Sequence, residues 1–259
     1  MLIRILSVFA SVCLVSTTLL AAESSFVGKW KLNPGKSQFA GLTYKVAEAG
    51  KDQYTFTFGD DSETLTLGKN HLTKYGNTWL VTQNGPNAWK WVQKRNNKVT
   101  SDATWTVSKD GATSTYVSTE MRPDGSASHD ETMLKRTAGG NSGLVGTWVS
   151  TKIKIGSPTS IEMAKWEGDG YSMMNPTYKG ETNFKLDGKA YTPKGPQVAK
   201  GTTVSAKAMN PNNIRLTYKL KGKTTETDHW NLSANGKMLT DIINFSGENK
   251  AETDVYERQ

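Results

Sequence analysis

The chain of 259 residues is 36% hydrophobic and has a mean hydropathy of −0.56, values that exclude a membrane-embedded chain and a chain too polar to form a core. Its formal net charge is +8, but the lysines and arginines form no continuous basic block. This argues against nucleic acid as a partner and supports only a diffuse attraction to anionic polymers of the cell envelope.

The first predicted element is a secretory signal peptide over residues 1–22. Arg4 supplies the positive start, an apolar stretch relieved only by Ser and Thr follows, and Ala21 and Ala22 offer small residues for cleavage. The apolar stretch is shorter than the ~20 residues of a typical membrane span, so the mature chain is not expected to span a membrane. Cys13 lies within the signal, which leaves the mature chain without cysteine. We therefore predict a periplasmic or extracellular protein without disulfides.

One motif occurs twice in the chain. The sequence FVGKW ends at Trp30, and LVGTW ends at Trp148. Further matches follow in the same order, and a constant offset later aligns Trp105 with Trp230. A stretch of small and polar residues, TAGGNSG, separates the two copies and is typical of a flexible connector. The predicted divisions are a first repeat at 23–136, a linker at 137–143 and a second repeat at 144–259.

Both repeats have the pattern of antiparallel β-sheet. Residues 28–32 alternate between lysines and apolar or small side chains, as expected of a strand with one covered face. Turn residues recur at short intervals, including Asp110-Gly111 in the first repeat and the equivalent Asn235-Gly236 in the second. No long run has helical spacing. The predicted fold is all-β, with two tandem antiparallel meander β-barrels.

A Gly-x-Trp motif on the first strand, a meander of short strands and a terminal Arg in each repeat resemble the calycins, the group of lipocalins, fatty-acid-binding proteins and avidins. In that group the first-strand Trp lies at the closed end of the barrel, and an Arg from near the end of the chain packs across it. The resemblance implies that Trp30 stacks with Arg136, and Trp148 with Arg258. Each contact would bring the last strand of a barrel to its first.

More specifically, the chain resembles secreted, lipocalin-like bacterial proteins of unassigned function that begin with Gly-x-Trp-x-Leu-Asn-Pro and end in Tyr-Glu-Arg. The pattern is met at residues 28–34 and 256–258. Residues 149–151, which follow Trp148, depart from it. The resemblance implies a lipocalin-like fold and names no reaction.

The sequence offers no clear metal, cofactor or catalytic motif. His71, His129 and His229 are each unmatched in the other repeat, and none has the spacing of a zinc site. No Gly-x-Ser-x-Gly elbow is present. We therefore predict neither a metal nor a cofactor and assign no catalytic residue.

Three tryptophans of the first repeat are the candidate binding residues. Trp79, Trp89 and Trp91 align with the smaller Val204, Ile214 and Leu216 of the second repeat. Trp89 and Trp91 share one face of a strand, and an intervening turn can bring Trp79 beside them. The indoles either fill the first barrel as core or line a cavity that binds a ligand.

The leading hypothesis is an exported, lipocalin-like protein that non-catalytically binds a small apolar or amphipathic molecule in an open barrel. The alternative is a cell-envelope interaction module with two closed barrels, whose outer surface contacts a polysaccharide or a protein. A third hypothesis is an enzyme with a His or a carboxylate at a barrel mouth. A cavity in either barrel would favour binding of a small molecule over a closed interaction module.

Overall fold

The computed structural model describes residues 26–259, so the predicted signal peptide lies outside the described residues. This part of the chain forms nineteen strands and no helix, and hence contains no helix long and apolar enough to cross a bilayer. The strands in chain order are β1 (Gly28–Leu32), β2 (Thr43–Gly50), β3 (Gln53–Phe58), β4 (Asp61–Thr66), β5 (Asn70–Leu72), β6 (Thr78–Gln83), β7 (Ala88–Arg95), β8 (Lys98–Val107), β9 (Thr113–Met121), β10 (Ala127–Ala138), β11 (Gly146–Lys154), β12 (Ser160–Trp166), β13 (Gly170–Asn175), β14 (Gly180–Phe184), β15 (Thr202–Asn210), β16 (Asn213–Leu220), β17 (Lys223–Leu232), β18 (Met238–Phe245) and β19 (Glu252–Arg258).

The strands form two antiparallel sheets that curl into nearly closed barrels. Barrel 1 has the order β4-β3-β2-β11-β10-β9-β8-β7-β6-β5, and barrel 2 has the order β14-β13-β12-β1-β19-β18-β17-β16-β15. In barrel 2, Tyr191 and Val204 exchange two backbone hydrogen bonds of 2.8 Å, which tie the segment after β14 to β15. The predicted all-β fold with two antiparallel barrels is confirmed.

The first strands of the two repeats are exchanged between the barrels. Strand β1 pairs with β12 and β19 of barrel 2, where Trp30 lies opposite Arg258. Strand β11 pairs with β10 and β2 of barrel 1, where Trp148 lies opposite Arg136. Each barrel is therefore completed by a strand from the other repeat.

The structure also differs from the predicted linker at 137–143. Thr137 and Ala138 belong to β10, and residues 139–145 connect β10 to its antiparallel neighbour β11 within barrel 1. The chain instead passes between the barrels at residues 33–42 and 155–159. The physical reason is loop closure, since a short connection joins β10 and β11 at a smaller entropic cost than pairing β10 with the distant β1.

The predicted stacking partners of the two first-strand tryptophans are wrong. The guanidinium of Arg258 lies 4.1 Å from the ring centre of Trp30, and that of Arg136 lies 4.0 Å from the ring centre of Trp148. Both indoles are fully buried. The predicted type of contact, a guanidinium over an indole between a last and a first strand, is present twice, but the exchange of β1 and β11 switches the partners.

The glycine of each Gly-x-Trp motif makes room for the arginine. Gly28 and Gly146 have φ angles of 147° and 146°, a region that L side chains rarely adopt. A Cβ atom on Gly28 would lie 2.4 Å from Nη1 of Arg258, and one on Gly146 would lie 2.8 Å from Nη1 of Arg136. A side chain at the first position of the Gly-x-Trp motif would collide with the guanidinium, which explains the glycine in both copies.

A double-mutant cycle should show which arginine packs over Trp30 and so test the exchange of the first strands. Trp30→Leu and Arg258→Met, separately and together, should show a coupling of ~0.5–2 kcal/mol in the free energy of unfolding measured in urea, the range of a cation–π contact. Trp30→Leu combined with Arg136→Met is the control and should be additive, because those residues lie in different barrels. Coupling of Trp30 to Arg136 in place of Arg258 would contradict the observed topology.

Candidate functional site

Barrel 1 encloses a cavity of about 320 Å³. Half of its lining side chains are aromatic, and Asp61, Ser62 and Glu63 at the start of β4 form its polar end. The lining side chains are Tyr44, Lys45, Val46, Phe56, Thr57, Phe58, Asp61, Ser62, Glu63, Tyr75, Trp79, Trp91, Trp105, Tyr116, Thr132 and Leu134. A cavity of this size and composition is within the range of small-molecule sites in proteins.

Two of the three predicted tryptophans line this cavity. The rings of Trp79 and Trp91 lie 5.0 Å apart at an angle of 68°, and Phe56 meets Trp91 edge-on at 4.9 Å. The indole N–H of Trp79 donates a 2.8 Å hydrogen bond to Oε1 of Gln93, which fixes the ring against the wall. Trp89 is 5% exposed in the packed core and is absent from the cavity lining.

Asp61 is the centre of the polar end of the cavity. The Tyr75 hydroxyl donates a short hydrogen bond to its Oδ2, and the Lys74 ammonium forms an ion pair with its Oδ1. Burial raises the pKa of Tyr75, and so do the charges of Glu63 and Glu226. Tyr75 therefore stays protonated near neutral pH and keeps donating its hydrogen bond to Asp61.

His71 lies beside a carboxylate of the cavity wall, as the enzyme hypothesis requires. Its Nε2 is 2.8 Å from Oε2 of Glu63, while the backbone N–H of Lys74 donates to Oε1 at 3.0 Å. Both oxygens of Glu63 are thus engaged in holding β5 and its turn to β4. His129 lies 2.9 Å from the Thr119 hydroxyl at the surface. Within residues 26–259, no group of three His, Cys, Asp or Glu could hold a metal ion.

The mouth of the cavity faces barrel 2 across a crevice. Tyr75 lines both the cavity and two further clefts of about 340 and 380 Å³, and Glu226 of β17 lines both clefts. The Phe58 ring of barrel 1 contacts Phe245 of barrel 2 at 5.2 Å. Arg95 adds a 2.8 Å hydrogen bond from its guanidinium to the backbone oxygen of Val198. The crevice therefore connects the two barrel mouths.

The interior of barrel 2 carries carboxyl groups where barrel 1 has neutral side chains. In barrel 1, Trp105 pairs with Tyr116, which pairs with Thr132. In barrel 2, Trp230 pairs with Asp241, which pairs with Asp254. Strand alternation adds Glu226 and Asp228 on the face of Trp230, and Glu252 on the face of Asp254. The acidic cluster comprises Glu226, Asp228, Asp241, Glu252 and Asp254.

Burial keeps this acidic cluster protonated into the neutral range. It raises the pKa of Glu226 to about 7. It also raises that of Asp241 to about 8, with a further contribution from Asp254, and that of Glu252 to about 8. The pKa of Asp228 is raised well above its usual range by burial and then by the neighbouring carboxyls. No Lys, Arg or His in the described part of the chain lowers the pKa of any member.

No family model matches this chain, and no curated protein matches it in a sequence search. The resemblance to lipocalin-like proteins therefore stays a prediction.

Sequence reasoning missed most of the wall and the whole of the acidic cluster. Tyr44, Phe56 and Tyr116 come from three other strands and line the same cavity as Trp91 only because the sheet curls. One sequence pattern could have indicated the acidic cluster: Glu226 and Asp228 alternate with Trp230 on the face of the strand that a barrel buries.

Replacement of Trp89 should mainly destabilise the protein. Trp89→Ala removes a buried indole from the packed core and is expected to cost ~3–5 kcal/mol of unfolding free energy. Trp91→Ala should cost less, because its ring is half-buried beside an existing cavity. Urea unfolding of both variants measures the difference; an equal loss for the two would contradict this assignment of Trp89 to the core and Trp91 to the cavity.

The acidic cluster should make stability fall as the pH rises. Glu226, Asp241 and Glu252 lose their protons near pH 4 in the unfolded chain but only at pH of about 7–8 in the folded protein, and burial shifts the pKa values of Asp228 and Asp254 in the same direction. The folded state therefore binds more protons between these values, and its stability is highest at the acidic end of this window. Urea unfolding at pH 5, 7 and 9 should show the decline, and Asp228→Asn with Asp241→Asn should flatten it. A profile that rises from pH 5 to 9 would be the opposite result.

Proposed function

We propose that the protein binds a small, flat, apolar or amphipathic molecule in the cavity of barrel 1, without catalysing a reaction. The observation that carries this proposal is an aromatic-walled cavity of about 320 Å³ that opens toward the crevice. Aromatic faces and edges hold a planar ring by offset or edge-to-face contact as well as by burial of apolar surface.

The polar end of the cavity favours an amphipathic ligand. A ring packed against the Trp79–Trp91 pair would direct a polar substituent toward Tyr75 and Asp61. The Tyr75 oxygen and the Asp61 carboxylate can accept hydrogen bonds from a ligand donor and so orient it, while the apolar wall supplies most of the affinity. The signal-peptide features of residues 1–22 support placing this activity in the periplasm or outside the cell.

The two other hypotheses receive less support. A closed interaction module needs two filled barrels, whereas barrel 1 contains a cavity. An enzyme needs a base that can reach the substrate, but both oxygens of Glu63 are engaged and His71 is absent from the cavity lining. Binding of an anionic polymer to the basic surface is compatible with a ligand in barrel 1.

The test uses N-phenyl-1-naphthylamine, an uncharged aromatic probe. Titration should quench the tryptophan fluorescence of the purified protein with saturation. Trp91→Ala should weaken binding about two- to tenfold, since an aromatic pair contributes ~0.5–1.5 kcal/mol. Thr132→Phe should abolish binding by filling the cavity, because Thr132 lines it.

The matched control is Trp166→Ala, which removes an indole from barrel 2. It should leave the affinity for the probe unchanged. Circular dichroism in the near ultraviolet establishes that each variant is folded before titration. Equal affinities of the wild type, Trp91→Ala and Thr132→Phe would refute binding in this cavity.

A further inference from the structure

The interior of barrel 2 contains five carboxyl groups and, among the described residues, no basic side chain that pairs with them. None of the five members of the acidic cluster forms an ion pair with any residue of the part of the chain that is described. Charged carboxylates are costly to bury unless they are paired with a cation or fully hydrogen-bonded. A ligand that brings positive charge and hydrogen-bond donors would meet both needs.

Three members of the acidic cluster have unused oxygen atoms. Asp228, Asp241 and Asp254 are only 4%, 7% and 8% exposed, and Oδ1 of each lacks a hydrogen-bond partner in the described structure. These residues lie on β17, β18 and β19, which are adjacent strands, and Asp241 is directly opposite Asp254. Trp230 lies directly opposite Asp241, and a hydrogen bond from its indole lowers the pKa of that carboxyl against the larger effect of burial. Unsatisfied buried polar groups are rare in folded proteins and call for an explanation, of which a missing ligand is one.

A ligand can approach these oxygens through the crevice. The cleft of about 380 Å³ is lined by Glu226, Tyr218 and Thr225, so Glu226 is the first carboxyl that an entering molecule meets. Asp228 follows two positions further along β17, on the same face of the strand. Tyr218 packs against the core of barrel 2 and offers an apolar surface beside this path.

The donor pattern favours an ammonium ion over a metal ion. A primary ammonium carries three N–H donors and no acceptor, which matches three unpaired carboxyl oxygens. A metal ion needs several ligands that converge at ~2.0–2.6 Å. No such group of His, Cys, Asp or Glu exists among residues 26–259.

We propose that the interior of barrel 2 is a second ligand site, which binds the primary ammonium group of an organic amine through Asp228, Asp241 and Asp254. Glu226, which lines the crevice, attracts the cation or holds a second ammonium group of a diamine. The two barrels thus bind ligands of different chemistry, an aromatic molecule in barrel 1 and an amine in barrel 2. This site does not depend on the function proposed for barrel 1.

The test is calorimetric titration of the purified protein with 1,4-diaminobutane at pH 7.5. Saturable binding is expected, with release of protons from the acidic cluster detected by comparing two buffers of different ionisation enthalpy. Tetramethylammonium chloride, a cation without N–H donors, should give no saturable heat. Asp228→Asn with Asp241→Asn should weaken diamine binding at least about tenfold, because charge-assisted hydrogen bonds are lost.

The matched control is Asp169→Asn, which removes a carboxylate from an exposed turn of the same barrel. Its affinity for the diamine should equal that of the wild type. Should the double variant fail to fold, Glu226→Gln at the mouth is used, with the same expected direction. The affinity of the double variant for N-phenyl-1-naphthylamine should be unchanged, which separates this site from that of barrel 1.

Four results would overturn the proposal. They are absence of diamine binding to the wild-type protein, equal diamine binding by the folded double variant, equal binding of tetramethylammonium, and binding of calcium chloride in place of the diamine. The first would mean that protons alone neutralise the acidic cluster, and the last would make it a metal site.

Discussion

The architecture depends on a guanidinium packed over a buried indole in each barrel. Arg258 covers Trp30, and Arg136 covers Trp148, at about the same distance from the ring centre. The same arginines also donate hydrogen bonds to backbone oxygens, from Arg258 to Gly236 and from Arg136 to Gly143. Because Trp30 and Arg258 come from opposite ends of the chain, this contact holds together segments that are far apart in sequence.

Exchange of the first strands makes each barrel dependent on both repeats. Strand β1 lies between β12 and β19, while β11 lies between β2 and β10. The chain therefore crosses between the barrels twice, and the two open mouths face one another across one crevice. A molecule in the crevice contacts both barrels, although their interiors have different chemistry.

The shared backbone framework explains how the interiors could differ so much. Hydrogen bonds between strands and the Trp–Arg contacts define each barrel, and the inward side chains between them can vary. At equivalent register positions, barrel 1 has Tyr116 and Thr132, whereas barrel 2 has Asp241 and Asp254. Alignment of the repeats could identify Trp79 and Trp91 as unusual, because an indole replaces a smaller apolar residue. It could not separate them from the buried Trp89, since all three are large and apolar.

The sequence by itself determined the β-strand content and the repeated Gly-x-Trp motif, because alternation and turn residues are local signals. The contact of a terminal arginine with a first-strand tryptophan was implied only by the resemblance to calycins. Only the tertiary structure decided which arginine meets which tryptophan. Two strands with the same local motif fit either barrel equally well, so the motif cannot encode its partner. The short connection between β10 and β11 settles the choice through loop-closure entropy, and it leaves β1 to complete barrel 2.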